Sequence, residues 1–516
     1  MLLLGDILRR HAAVRGDKTA YIIGADRVTY GAFHARSNQL ARALARLGVR
    51  RGDRVAVMAT NRVEYPVVYF AVLKLGAIVV PVNARFTADE VATVVHHAEA
   101  ETFFVAPEFA ALVGGLRTAG RLPLVRRVVS IAGGAELADA APLAALAAAE
   151  PADDVAVAID EHDPHVMLYT SGTTGSPKGT LLSHRSYFLQ VTTSHLQLGM
   201  REDDVGLCMF PMFHMGGWSL PLGFWHTGAT IVLMPRAEPR LLLETIERER
   251  VTYLYAVPTV WGSLLAVPDF DRFDLRSLRL LGGGTAAMTA AQVHRIRERF
   301  GCSDMVILYG STEAGPVSVL RPCDTQRKPE TVGRPYLDVD VRLVGERGET
   351  VGQGEVGEIA VRSEFTMRGY WRNAEETART IRDGWVHTGD LGVFDAEGFL
   401  SVVGRRKEVI RSGGESIFPA EIERVLLAHA AVREASVVGI PDPHWGEAVV
   451  AAIVLRDAAT LTADDVVAHV RQHLAGFKKP RHVFFLPELP RTAASQQVHK
   501  ALLREIVLQL IPPAAP

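Results

Sequence analysis

An α/β architecture built on mainly parallel sheets follows from three observations. Amphipathic helical stretches alternate with short apolar runs over residues 29–110, and the same alternation resumes over 205–320. After Gly404-Arg405-Arg406-Lys407 the texture changes to a compact αβ unit. The elements follow in order. Leu3, Ile7 and Leu8 share one face of an opening helix, and VTYGAFHARSNQLARALARLG is amphipathic at helical period. Residues 55–58 are an apolar strand, 66–75 a second helix and 77–80 another strand. The Ala-rich stretch 134–158 reads as a surface connection of helix and loop. From 337 to 403 short strands and turns dominate, punctuated by Gly-Glu and Asp-Gly. EIERVLLAHAAV and DDVVAHVRQHL supply the helices of the last unit. The boundary is expected at Lys407, giving domains 1–406 and 407–516. The tail IPPAAP should fray.

The bulk numbers narrow the function. A chain of 516 residues suggests roughly three folding units. Its 48% hydrophobic content supports a large core. With 58 acidic and 56 basic residues the net charge is −2, which gives no electrostatic case for nucleic acid. Cys208, Cys302 and Cys323 lie far apart without metal spacing, as fits a reducing cytoplasm. The N-terminus is too short and too soon charged for a signal peptide, and no uncharged apolar run approaches the ~20 residues of a membrane helix. The 18 histidines never fall in HExxH spacing, which argues against a catalytic zinc.

Residues 168–184, LYTSGTTGSPKGTLLSH, carry the most chemistry. An apolar run over 166–169 breaks into Thr, Ser and Gly with one lysine, Lys178, and a second apolar run follows, so strand–loop–strand is the natural reading. Gly172, Gly175 and Gly179 permit close backbone approach, and Thr170, Ser171, Thr173 and Thr174 add hydroxyls to the N–H groups. Such a nest suits a polyphosphate, with Lys178 as point charge. The commoner phosphate loop places Gly-Lys-Ser/Thr before a helix; here Lys178 precedes Gly179 and a strand follows.

The stretch resembles the signature loop of the adenylate-forming superfamily of acyl-CoA synthetases, adenylation domains and luciferases. The resemblance runs over roughly residues 5–505. It implies a large N-terminal domain with a small barrel-like β subdomain and a mobile C-terminal α+β lid. It also implies binding of the ATP β- and γ-phosphates by the loop. PMFHMGGW (211–218) resembles the segment that sets a residue beside the acyl pocket, here His214. In LLGGGTAAM (280–288), Gly283 and Gly284 would leave room for adenine and substrate. In LYGSTEAG (308–315), Tyr309 and Gly310 would face the base, Thr312 a phosphate, and Glu313 Mg²⁺. HTGDLG (387–392) resembles the ribose clamp through Asp390; Arg405 suits ribose or α-phosphate, and Lys407 falls at the hinge of relatives. Gly413 and Gly414 resemble the pantetheine tunnel, and Trp445, Phe477 and Lys479 the segments that touch coenzyme A.

One segment departs from the pattern. After Leu-Pro-Arg, relatives carry a Gly-Lys whose lysine bridges the carboxylate and α-phosphate. Here 489–500 read LPRTAASQQVHK, and Gln496-Gln497 stand in its place. A neutral amide cannot neutralise charge developing on phosphorus. Either Lys500 reaches in, another group substitutes, or the first half-reaction is unusual. Three readings stay open: an acyl- or aryl-CoA synthetase using Mg·ATP, an acid and coenzyme A; an enzyme activating nitrite for transfer to an arylamine; and a degenerate nucleotide-binding protein. His214, Trp218, Gly284 and Met288 suggest a mostly apolar or aromatic small-molecule acid. A homodimer is left open.

Overall fold

A computed structural model describes residues 1–131, 137, 139–170, 178–284, 288–457, 459–492 and 497–511. Packing divides the chain into two units. The first comprises Met1–Pro329, Gly333–Asp340 and Val361–Val386; the second comprises Glu330–Val332, Val341–Ala360 and His387–Pro516. This division follows contacts and does not fall at 406/407. Of the tail, only Ile511 is among the described residues.

Two sheets form the first unit. In one, eight strands run in the order Gly369–Tyr370, Lys178–Ser183, Pro164–Thr170, Ile78–Pro81, Arg54–Met58, Thr102–Val105, Arg127–Ser130 and Ala141–Pro142. Pairing is parallel from Pro164–Thr170 onward and antiparallel across the hairpin and its edge strand. The other has nine strands, parallel through its centre from Thr19–Ile23 to Met305–Ser311 and closed at both ends by antiparallel partners. Central strands such as Ile78–Pro81 and Thr102–Val105 are buried on both faces, which is why they read as continuous apolar runs. The expected helices are present as Gly5–Arg15, Tyr30–Arg46 and Glu64–Lys74. Pro66 sits in the first turn of the last, where its missing N–H breaks no helical bond. Among the described residues of the Ala-rich stretch there is one short helix, Leu143–Ala148.

In the second unit, residues 357–360, 387–394 and 400–405 lie in the strands of a small β element. A five-stranded sheet built on the long pair Val432–Asp442 and Gly446–Leu455 carries the helices Pro419–Ala428, Ala463–His473 and Lys500–Leu510. Its two faces bury separate clusters, one around Ile417, Ile422 and Val466, the other around Val450, Leu503 and Val507.

Asp204 anchors the nine-stranded sheet. Its carboxylate, 2% exposed, accepts from Arg279, from Thr252 Oγ1 at 2.7 Å and from the Arg201 N–H at 2.7 Å. Burial works against ionisation, but these partners outweigh it and hold the carboxyl below the usual range. A depressed folded pKa contributes stability in full above the unfolded value near ~3.9, and the contribution is lost as pH falls through the folded pKa. Asp204→Asn should therefore cost about 2 kcal/mol at pH 7 in denaturant titrations. The gap to the parent chain should narrow below about pH 4. An equal gap at pH 3 and pH 7 would contradict this account.

Candidate active site

The first unit brings Lys178 and Glu313 to one tyrosine. Antiparallel pairing sets Thr170 opposite Lys178, so the two expected strands are present, while residues 171–177 between them lie outside the described residues. Ser171, Gly172, Thr173, Thr174 and Gly175 lie outside the described residues. The edge strand Gly369–Tyr370 adds to Lys178–Ser183, with Tyr370 opposite Thr180 and the Trp371 N–H donating to the Gly179 carbonyl at 2.8 Å. Lys178 Nζ lies 5.3 Å over the Tyr370 ring and is ion-paired with Glu376. From the other side, the Tyr370 hydroxyl donates to Glu313 Oε1 at 3.1 Å. Burial, then the Glu313 charge, pushes the Tyr370 phenol far above its usual range, so it stays a donor.

Glu313 sits in the tight connection between Met305–Ser311 and Gly315–Leu320, its carbonyl accepting from the Met367 N–H at 2.8 Å. Thr312 is half-buried beside it, and Tyr309 is half-buried opposite Ser318. Gly310 is exposed, but on the side where a β-carbon would stand it meets the Gly315 carbonyl oxygen at 2.3 Å. Tyr370 and Glu376 escape the sequence reading. Asn373 followed by Glu375 and Glu376 is a legible helix cap, but nothing in it tells where that helix docks.

Of the residues expected beside the acid, His214 packs on Phe213 and Gly284 lies against Tyr255, which pairs with Phe210. His214 caps the helix Met215–Thr227 and stacks obliquely on Phe213, with ring centroids 4.9 Å apart. Asn61, buried, holds the preceding loop by donating to the Phe210 carbonyl and accepting from the Met212 N–H. Phe210 in turn packs on Tyr255 at 5.7 Å and lies 3.4 Å from where a Gly216 β-carbon would stand.

Two expectations need correction here. The space beside Gly284 is filled by the protein: a β-carbon would meet the Tyr255 hydroxyl at 2.2 Å and the Leu308 carbonyl oxygen at 2.3 Å. Beside Gly283 it would meet Met288 Sδ at 2.6 Å. The glycines thus admit aromatic and sulfur side chains of the sheet, while residues 285–287 lie outside the described residues. Trp218 is also no open pocket wall. It is fully buried and stacked on Tyr69 with centroids 3.3 Å apart, because position 218 turns to the core side of its helix.

In the second unit the residues expected to hold ribose face each other. Asp390 and Arg405 are cross-strand neighbours, with Arg405 Nε 3.0 Å from Asp390 Oδ1. Asp390 is 8% exposed and Arg405 48%, so the carboxylate is fixed and the guanidinium remains accessible. Lys407 is exposed in a single 3₁₀ turn, Arg406–Glu408. Gly413 and Gly414 make the left-handed turn between Ile410–Ser412 and Glu415–Ile417, and the Gly413 N–H donates to the Trp445 carbonyl at 2.8 Å. Trp445 carries the Arg481 guanidinium 4.1 Å above its ring. Phe477 is exposed and Lys479 half-buried just after it.

Lys500 is the third correction. Its ammonium is 2.9 Å from both Glu408 and Glu423. Burial opposes the charge, but Glu423 and Glu408 outweigh it and lift the ammonium above the usual lysine range. Two carboxylates thus hold the Lys500 ammonium. Gln496 lies outside the described residues; the Gln497 carbonyl accepts from the Thr492 N–H at 2.9 Å.

Residues 8–371 match the AMP-binding enzyme family and 421–495 the AMP-binding enzyme C-terminal domain. The chain belongs to the AMP-binding enzyme family. Within it, the chain is 36% identical over 497 residues to a feruloyl-CoA synthase of Amycolatopsis sp, covering 96% of this chain and 97% of that one. It is 34% identical to an indoleacetate–CoA ligase of Aromatoleum aromaticum, with 98% of each covered. The anthranilate CoA ligase AuaEII, crystallised with anthranoyl-AMP, superposes with a TM-score of 0.91 at 30% identity over 99% of this chain and 98% of that one. This AMP-binding enzyme therefore has the adenylate-forming fold and is an AMP-forming ligase.

Among the described residues there is no group of three or more His, Cys, Asp or Glu that could cage a metal, and no helix is long and apolar enough to cross a membrane. A lone carboxylate at Glu313 still suits Mg²⁺, which is commonly carried by one or two carboxylates plus substrate phosphates.

Gly284→Ala should be poorly tolerated, since the clash includes a backbone oxygen that cannot rotate away. A loss of about 2 kcal/mol in unfolding free energy is expected, with acid-dependent pyrophosphate release down at least ~10-fold. Parental values for both would show that the sheet yields there.

Proposed function

We propose that this AMP-forming acyl- or aryl-CoA synthetase activates an apolar aromatic carboxylic acid. The observation that carries the acid class is the half-buried Phe210–Tyr255 ring pair, its rings tilted at 55°, with Gly216 beside Phe210 and Gly284 beside Tyr255. The aromatic acids in the names of the feruloyl, indoleacetate and anthranilate ligases support the same reading.

In the first half-reaction a carboxylate oxygen attacks the α-phosphorus, and the bond to the β-phosphate oxygen breaks in line, so pyrophosphate leaves with the electron pair. Lys178 and the 170–175 loop would hold the leaving phosphates. Tyr309 and Gly310 would face adenine, Asp390 the ribose, Arg405 the ribose or α-phosphate, and His214 the acid. Glu313, steadied by the Tyr370 hydroxyl, and Thr312 would hold Mg²⁺ and a phosphate. A bound Mg²⁺ neutralises charge on the phosphate oxygens. In the second half-reaction the thiol sulfur of coenzyme A attacks the acyl carbon, AMP leaves, and the thiol proton passes to solvent. Gly413 and Gly414 would border the pantetheine arm, and Trp445, Phe477 and Lys479 the nucleotide end. With Lys500 committed elsewhere, Gln496-Gln497 leave adenylation to proceed without a bridging ammonium from this segment.

Pyrophosphate release screened over aryl and alkyl acids and nitrite, with and without coenzyme A, tests the reading. Aromatic acids should give the highest kcat/KM, with CoA-dependent thioester formation. Nitrite-dependent release with arylamine transfer would replace it. Glu313→Ala should lower pyrophosphate release at least ~100-fold, and parental turnover at saturating Mg²⁺ would remove Glu313 from the metal site.

Lys407→Pro, by fixing φ at the proposed hinge, should spare adenylate formation and abolish transfer to coenzyme A. Equal loss of both half-reactions would make the position simply structural.

A further inference from the structure

We propose that Glu376 is a positioning residue that competes with the ATP polyphosphate for the Lys178 ammonium, and so sets the affinity for ATP and the release of pyrophosphate. The proposal rests on the reading of Lys178 as a phosphate contact. Lys178 is only 11% exposed and Glu376 22%, and the two are ion-paired. Neither partner is loosely held. Glu376 lies in the first turn of the helix Ala374–Thr380, where its N–H donates to the capping Asn373 Oδ1 at 3.0 Å. The next residue, Thr377, accepts from the Tyr370 N–H at 2.9 Å and donates to the Asn373 carbonyl at 2.7 Å. That binds the helix start to the edge strand carrying Tyr370. Tyr370 lies under Lys178 Nζ at 5.3 Å while its hydroxyl is tied to Glu313. A second cation, Arg379 Nη1, stands 3.7 Å from Glu376, so the carboxylate keeps a partner when Lys178 turns away.

The consequence is electrostatic. A half-buried carboxylate beside a phosphate-binding lysine neutralises part of its charge and repels an incoming polyanion. Binding of ATP exchanges one charge-assisted contact of Lys178 for another, which weakens net affinity without touching the reacting phosphorus. The same exchange runs in reverse when pyrophosphate leaves.

The experiment measures KM for Mg·ATP and the inhibition constant of pyrophosphate in the full-length enzyme. Glu376→Gln keeps shape and cap while removing charge, and should lower both constants about 3- to 10-fold without raising kcat. Glu376→Asp, which keeps the charge, should stay within about 2-fold of the parent chain. Lys178→Met should raise both constants, and Glu376→Gln placed on that background should no longer lower either. Parental or raised constants in Glu376→Gln, with Lys178→Met behaving as stated, would overturn the role of Glu376 alone. Parental constants in Lys178→Met would overturn the phosphate contact itself. Thermal midpoints of all variants report whether helix Ala374–Thr380 remains folded.

Discussion

Two residues of edge strand hold Lys178, Tyr370 and Glu313 of the first unit together. Gly369–Tyr370 hydrogen-bonds to Lys178–Ser183 through Arg368 N–H to Leu181 O at 2.9 Å and Trp371 N–H to Gly179 O at 2.8 Å. That short ladder places Tyr370 between Lys178 and Glu313, and it delivers Glu376 to a lysine 198 positions away in the chain. A β-ladder fixes side-chain direction as well as distance, because successive residues point to opposite faces. The aromatic ring can therefore face the ammonium while its hydroxyl holds the carboxylate.

The charged groups of the second unit follow the same economy. Asp390 with Arg405, Glu358 with His387 and Arg406, and Lys500 with Glu408 and Glu423 each join an acid to a base across neighbouring elements. A buried charge without a partner would be costly, so such pairs fix the backbone around the exposed 3₁₀ turn at Lys407. The Lys500 cluster ties that turn to the helices Pro419–Ala428 and Lys500–Leu510, and Glu423 also accepts from the Val437 N–H at 2.8 Å. Lys500 is thereby a structural cation, whatever carries charge at the α-phosphate.

The strand Leu280–Gly284 shows how glycine and aromatic residues divide the work in a sheet. Tyr255 is the register partner of Gly282, and its ring would lie 2.4 Å from a Gly282 β-carbon and its hydroxyl 2.2 Å from a Gly284 one. Gly282 and Gly284 thus let one face of the strand accept a neighbouring tyrosine, while Gly283 makes room for Met288 on the other.

The sequence by itself determined the alternation of strands and helices, the hairpin that presents Lys178, and the family of motifs that include Glu313, Asp390 and Arg405. These are local properties: hydrophobic period, glycine spacing and cap residues are written along contiguous residues. Tertiary structure alone decided that Glu376 meets Lys178, that Tyr370 bridges to Glu313, that Trp218 turns inward onto Tyr69, and that Lys500 is held by Glu408 and Glu423. Those outcomes depend on which helix face turns to the core and which strand takes the sheet edge. Both are set by packing between segments tens to hundreds of residues apart, and no window of sequence contains that information.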